Sequence, residues 1–321
     1  MKRVILSLKP NTIPQERNDN LWKNVKKNYL FYLLVLPGLA YITVFKILPI
    51  FGLVLAFKLY IPWYGFFKSE WIGLANFIDI FTSEDFYLKL KNTLIINSYK
   101  LVFGFPAPVV LALLINEIRK SWFKKIAQTV SYFPYFISWI IISGILYNFL
   151  NYEYGIVNQV LEGMGLPPVA WYQEPKYWRA IVVLTWIWKS IGYNTVIYLA
   201  AIVGIDQQLY EASIVDGANR FRQLIHITIP GIVPAITVMF LLSIGGMISG
   251  DFAQIQTFMG NNGALYSSID IIETYLYRIL SGQIDLISYG IAMGMIQSII
   301  AFALLCASNF LAKKYSDYTL W

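Results

Sequence analysis

The sequence predicts an all-α membrane protein with six transmembrane helices and both termini on the cytoplasmic side. Composition sets the class: 57% of the 321 residues are apolar and 13% charged, with a mean hydropathy of +0.56. An average soluble domain carries ~25% charged residues. Segmentation sets the number of spans. Apolar stretches recur near 29–57, 93–116, 126–150, 180–203, 229–250 and 287–311, each long enough for the ~20 residues that cross ~30 Å of hydrocarbon as a helix. None has the alternating period of an outer-membrane strand, and a helix satisfies its own backbone in lipid.

The distribution of Lys and Arg sets the orientation. Lys2, Arg3, Lys9, Arg17, Lys23, Lys26 and Lys27 precede the first span, and Arg119, Lys120, Lys124 and Lys125 follow the second. Arg220 and Arg222 follow the fourth, and Lys313 and Lys314 close the last. The loops of the other side carry seven basic residues, Lys58, Lys68, Lys89, Lys91, Lys176, Arg179 and Arg278, diluted by acids such as Glu70, Asp79, Glu84, Asp85, Glu153, Glu162 and Glu174. The positive-inside tendency makes the first set cytoplasmic. The net charge of +7 therefore flanks spans and implies no nucleic-acid partner.

Residues 1–28 read as a cytoplasmic N-terminal tail, frayed or lying on the membrane surface, in which Val4, Ile5, Leu6 and Leu8 permit a short interfacial helix. The apolar segment that follows is too long for the core of a cleaved signal peptide, so residues 29–321 form the transmembrane domain. Cys306 is the single cysteine and lies inside the last span as a packing residue.

Catalytic chemistry finds little support. The one histidine, His226, leaves no Ser-His-Asp or Cys-His arrangement and no multi-histidine metal site. No Gly-x-x-x-x-Gly-Lys-Ser/Thr phosphate cradle occurs, so ATP, if it drives this protein, is bound by another subunit.

The stretch between the fourth and fifth spans, 204–230, is polar and prone to helix. Ile205, Leu209 and Ala212 recur at helical spacing, which predicts a short amphipathic helix over about 205–216 that a partner protein can receive. Gly217 permits a left-handed turn, and Ala218 through His226 start a second helix with Phe221 and Ile225 on its apolar side. Ile229-Pro230 then marks re-entry into the membrane, because the residue before a proline is pushed out of the helical region.

The order Glu211-Ala212-Ser213, Gly217 and Ile227-x-Ile229-Pro230 resembles the cytoplasmic coupling motif of the membrane subunits of binding-protein-dependent ABC importers. Ser213 replaces a second Ala and Ile229 a Leu. Trp71-Ile72-Gly73-Leu74-Ala75-Asn76-Phe77 with Asn92-Thr93 is similar to the outer-loop pattern of sugar-importer permeases. Leu111-Ala112-Leu113-Leu114-Ile115-Asn116-Glu117, Tyr132-Phe133-Pro134 and the ending Asp317-Tyr318-Thr319-Leu320-Trp321 resemble the subfamily that handles polysaccharide-derived oligosaccharides, including uronides such as alginate fragments.

That resemblance implies a type I ABC importer permease fold in the bacterial cytoplasmic (inner) membrane and a non-catalytic subunit working by alternating access. The implied partners are a second homologous permease in a heterodimer, two cytoplasmic ABC ATPase subunits, an extracytoplasmic solute-binding protein, the lipid bilayer and a carbohydrate substrate. No cofactor is implied for this chain, since the partner ATPases bind ATP and Mg. Glu211, Ala212, Ser213, Asp216, Gly217 and Pro230 are the implied ATPase-coupling residues.

Asn97, Lys100, Trp186, Trp188, Lys189, Tyr193, Asn194 and Gln297 are the candidates for the substrate pathway. The alternative for each is a belt aromatic or a polar group joining two helices. Lys189 sits about 14 Å inside the fourth span at ~1.5 Å per residue. It either is neutral, or pairs with a carbonyl or a partner-chain carboxylate to lock two helices, or offers positive charge to a sugar acid, with Lys100 adding to the field. A secondary transporter or channel is the rival class, and a membrane-embedded enzyme a second; intramembrane carboxylates, the usual mark of a proton- or sodium-coupled carrier, are nearly absent from these spans.

Overall fold

The computed structural model describes residues 26–282 and 286–315. The chain divides into two units, residues 1–54 and 55–321. The expected tail therefore falls mostly outside the described residues, as does the ending Asp317–Trp321.

In the first unit, helix α1 (Tyr29–Ile42) passes through a π turn at Thr43–Ile47 into a 3-10 stretch that starts at Leu48. Pro37 lies inside α1 and none of its residues is buried. Tyr29, Leu30, Phe31, Leu33 and Leu34 are each more than half exposed. An apolar helix left uncovered by the described residues of its own unit is suited to lipid rather than water.

The second unit is a bundle. Its longer helices are α2 (Ala75–Thr82), α3 (Glu84–Tyr99), α4 (Pro106–Glu117), α5 (Ser121–Tyr132), α6 (Trp139–Leu150), α7 (Ile156–Gly163), α8 (Trp178–Val203), α9 (Gln207–Val215), α10 (Ile229–Gly245), α11 (Phe252–Met259), α12 (Ile272–Gly282) and α13 (Ile287–Tyr315). A two-residue antiparallel ladder pairs β1 (Lys58–Leu59) with β2 (Glu70–Trp71), Lys58 opposite Trp71. Ser83 caps α3 through its hydroxyl, which accepts from the Phe86 N–H, and acidic Glu84 and Asp85 fill the first turn where the helix dipole favours them.

Among the described residues, five continuous helical segments are long and apolar enough to cross a membrane: Tyr29–Phe57, Glu84–Glu117, Pro175–Val203, Arg220–Ile248 and Ile287–Lys314. They match five of the six expected spans. The third expected span, 126–150, differs. It is a pair of helical segments, Ser121–Phe136 and Trp139–Leu150, bent by 95° at a short break. Pro134 has no N–H to donate, Ile137 is extended at ψ 130°, and Ser138 starts the next helix by accepting from the Ile141 N–H.

Interior packing is concentrated on α8. Trp178, fully buried, gathers Ile96, Ile142, Val182, Ile255 and Phe258 at one end. Tyr198, Leu199 and Ile202 pack with Ala112, Ile115 and Ile232 at the other. At ~1.5 Å per residue the 26 residues of α8 make a helix roughly 39 Å long. The loop 204–219 lies at the second end, the motif end. Residues 151–177 lead into the first.

Candidate functional site

Two features at different depths carry the site: the protruding loop at the motif end and a cavity halfway along α8.

The loop folds as two limbs. Asp206 caps α9, its carboxylate accepting from the Gln208 N–H at 2.9 Å, so the helix begins two residues later than the pattern of Ile205, Leu209 and Ala212 indicates. Gly217 then takes φ +77°, the left-handed conformation that L side chains resist, with open space around its Cα. The Ala218 N–H reaches back to the Ser213 carbonyl at 2.9 Å, closing the helix end. Asn219 caps the single turn Arg220–Gln223 by accepting from the Arg222 N–H.

The limbs are tied by side chains. Gln223 donates to the Ser213 hydroxyl at 2.9 Å, and the Tyr210 and Thr228 hydroxyls lie 2.9 Å apart. Ser213, the departure from a second alanine, thus supplies an acceptor that an alanine lacks. Arg220 lies 3.7 Å from Glu117 at the end of α4, which puts the basic turn 119–125 at the same end as the loop. Leu209, Ile214, Val215 and Phe221 are all more than half exposed, and Glu211, Ala212 and Asp216 are exposed beside them.

Ile229-Pro230 corrects one expectation. No boundary occurs there: the turn at Arg220–Gln223 runs through a π turn at Leu224–Thr228 into α10, with Ile229 itself helical at φ −61° and ψ −51°. Pro230 stands in the first turn of α10, where a proline needs no donor partner. The widened π turn gives the proline ring the room that an ideal α-helix denies it. The helix that continues into the fifth apolar stretch thus begins about ten residues earlier, at Arg220.

The cavity has a volume of about 420 Å³ and is lined, among others, by Asn97, Lys100, Trp186, Asn194, Tyr198 and Asp251. Four of the eight pathway candidates meet here. The Lys100 ammonium donates to Gln254 Oε1 at 3.0 Å and stands 5.2 Å from the Trp186 ring centroid. Gln254 is fully buried and donates in turn to the Val182 carbonyl at 2.7 Å and the Thr185 hydroxyl at 3.1 Å. Asn97 Nδ2 donates to the carbonyls of Met247, at 2.7 Å, and Ser249, at 3.0 Å, where the end of α10 unwinds. Gly104 allows Trp186 its place, since a Cβ there would meet the indole Cζ3 at 2.6 Å.

The other four candidates lie elsewhere. The Lys189 ammonium donates to the carbonyls of Tyr135, at 2.7 Å, and Ile137, at the break between α5 and α6. Tyr193 stacks on Tyr135 with centroids 3.9 Å apart. Trp188 is half exposed and does not line the cavity. Gln297 Nε2 donates to the Ile248 carbonyl at 2.7 Å and to Glu273 Oε1 at 2.6 Å.

Asp251, Gln254 and Glu273 were not anticipated as site residues, because they lie between the fifth and sixth spans, where the sequence shows only loop character. Glu273 Oε1 also accepts from the Gly250 N–H at 2.8 Å, while Oε2 is buried without a hydrogen-bond partner among the described residues. Burial pushes its carboxyl above the usual carboxylate range against the pull of those hydrogen bonds. A second network sits nearer the first end of α8. Asp270, fully buried, binds Arg278 at 2.6 Å and accepts from the Thr274 hydroxyl at 2.7 Å, with Lys89 at 3.7 Å.

Helices long enough to span, a polar and aromatic cavity between them and a braced helical knob at one end define a membrane transport subunit. The family model described as binding-protein-dependent transport system inner membrane component matches residues 104–318. The chain belongs to that family and is a multi-pass inner-membrane protein.

Its relatives in Bacillus subtilis (strain 168) include Protein LplB, 39% identical over 297 residues that cover 92% of each chain. The polygalacturonan/rhamnogalacturonan transport system permease protein YteP of the same strain is 38% identical over 305 residues, 94% of this chain and 93% of its own. Among solved structures, a chain of the bacterial alginate ABC transporter in complex with alginate pentasaccharide-bound periplasmic protein superimposes with a TM-score of 0.84. It is 34% identical and covers 94% of this chain and 99% of its own.

Proposed function

We propose that this chain forms half of the translocation pathway of an ATP-driven importer for oligosaccharides containing uronic acids. One observation carries the reading: a cavity between the spans in which a lysine, Lys100, is held against an aromatic face at Trp186. An aromatic surface suits the C–H face of a sugar ring and an ammonium suits its carboxylate. The relatives' polygalacturonan and alginate substrates agree with that chemistry.

The loop at the motif end is read as the seat of an ATPase. Glu211 and Asp216 offer charge, Ala212 and Ser213 close packing, and Gly217 the bend; Pro230 sets the first turn of the helix that carries movement inward. A second permease completes the pathway, two cytoplasmic ATPases bind ATP and Mg, and a solute-binding protein delivers the sugar from outside. ATP closure of the ATPase pair then moves the coupling loops and exchanges outward for inward access. The basic ends of the spans support a cytoplasmic position for the motif end.

Two measurements test this. In proteoliposomes holding the complete importer, ATP should drive uptake of trigalacturonate in preference to maltotriose, and Lys100→Gln should reduce that preference; equal uptake of both by the parent protein would overturn the uronide reading. A reporter active only in the cytoplasm should work when fused after Lys124 or Arg222 and stay silent after Lys68 or Pro168. Activity after Pro168 would reverse the orientation.

A further inference from the structure

We propose that a cleft at the end of the bundle opposite the motif loop is a saccharide subsite that holds an uncharged, hydroxyl-rich sugar ring outside the membrane. This rests on the orientation proposed above, which makes that end the outer one.

The cleft, of about 650 Å³, is lined, among others, by Tyr147, Tyr152, Glu153, Tyr154, Trp171 and Tyr172. Its volume falls within the ~300–1,000 Å³ typical of small-molecule sites. Five aromatic rings around one space at the mouth of a transport protein are more than an interfacial belt supplies. A belt sets rings at the lipid boundary one by one, whereas here Tyr147 and Tyr172 pack on each other in the wall, centroids 5.5 Å apart and tilted by 58°.

The walls are held rigidly from beneath. Asn158 is buried, and its single amide binds both sides. Nδ2 donates to the carbonyls of Tyr152, at 3.2 Å, and Val169, at 3.0 Å. Oδ1 accepts from the Val169 N–H at 3.0 Å and from the Trp171 indole N–H at 2.9 Å. The floor is fixed as firmly. Trp178 donates to the Trp171 carbonyl at 2.7 Å, Asn262 donates to the Tyr172 carbonyl at 2.7 Å, and the Tyr172 ring lies 4.8 Å from that of Trp178.

Despite this bracing, Tyr147, Tyr152 and Tyr154 remain 50%, 56% and 51% exposed. Trp171, whose indole N–H and carbonyl are both engaged, is ordered in advance and loses little freedom on binding.

Charge narrows the ligand. Glu153 is the charged residue of the lining, and no lysine or arginine accompanies it among the lining residues. A carboxylate accepts hydrogen bonds from sugar hydroxyls but repels a second carboxylate in the same space. The inner cavity, with Lys100, has the opposite bias. The two sites thus read different positions of one oligosaccharide: a neutral ring outside and an acidic ring within.

The test uses the assembled importer in lipid nanodiscs without its solute-binding protein, with maltotetraose as the neutral probe and trigalacturonate as the acidic one. Binding is followed by saturation-transfer NMR. Maltotetraose should bind the parent protein, about 2–10-fold more weakly to Tyr152→Ala and to Tyr147→Ala, the loss expected for one aromatic contact. Glu153→Gln should keep maltotetraose and gain affinity for trigalacturonate.

Absence of maltotetraose binding, or equal binding by all variants, would overturn the proposal. So would variants that bind maltotetraose normally and lose only the stimulation of ATP hydrolysis by the solute-binding protein, since that result assigns the cleft to protein docking. Failure of ATP-driven uptake with cleft binding intact would sink the importer reading and leave this one standing.

Discussion

Lys189 donates a 2.7 Å hydrogen bond to the main-chain carbonyl of Tyr135, where the third apolar segment breaks and turns through 95°. A break at membrane depth exposes carbonyls that have no water to accept from. Lys189 supplies donors to that stretch, reaching Ile137 as well, and its charge rests between the rings of Tyr135 and Trp139 at 5.5 and 5.3 Å. Of the roles the sequence leaves open, pairing with a carbonyl is the one this geometry supports.

Lys189→Gln should therefore lower the stability of the purified complex, by ~1–3 kcal/mol for carbonyls left unsatisfied. Uptake of acidic and neutral sugars should fall together, and Lys189→Arg should restore most of the stability. Thermal unfolding in detergent beside two-substrate uptake checks this; a selective loss of acidic uptake at unchanged stability would return Lys189 to the pathway.

Gly217→Val should leave the protein inserted and abolish substrate-stimulated ATP hydrolysis. At φ +77° a β-branched residue is strained by roughly 1–3 kcal/mol, so the two limbs of the loop lose their mutual angle. Because nothing stands within 4 Å of the added Cβ, the defect is one of backbone conformation and not of crowding. Normal ATPase stimulation in vesicles would show that the bend is dispensable.

Asp270→Asn should destabilise the fold by about 3–5 kcal/mol, since it leaves Lys89, itself buried, without that charge partner and weakens the grip on Arg278. Asp85→Asn, by contrast, removes an exposed partner of Lys89 and should cost less than ~1 kcal/mol. Chemical denaturation of both variants compares them, and equal effects would mean that burial of Asp270 does not matter.

Glu273 gives a pH signature. Its carboxyl titrates higher in the folded protein than in the unfolded chain, so the neutral form favours folding, and that contribution is present at low pH and lost as pH rises through the folded value. Glu273→Gln should thus be close to the parent protein near pH 5 and relatively more stable near pH 8. Melting curves at the two pH values test it; a gap that does not widen with pH would remove the argument.

Hydropathy alone determined the helical class and five of the spans, because lipid demands long apolar helices and writes that demand directly into composition. The bend of the 204–219 loop was legible for a similar reason: Gly217 and the limbs on either side of it are local conformational choices, visible in neighbouring residues. Ile229-Pro230 was misread as a boundary because the π turn that accommodates the proline has no marker in sequence. Tertiary structure alone decided which polar groups share a space. Lys100 and Lys189 look alike as single cations within spans, yet one faces a cavity beside Trp186 and the other closes a broken helix at Tyr135. Asp251, Gln254 and Glu273 reach the site from a segment that reads only as loop. Pairings between residues 50 to 180 positions apart depend on how helices cross, and no local pattern carries the crossing.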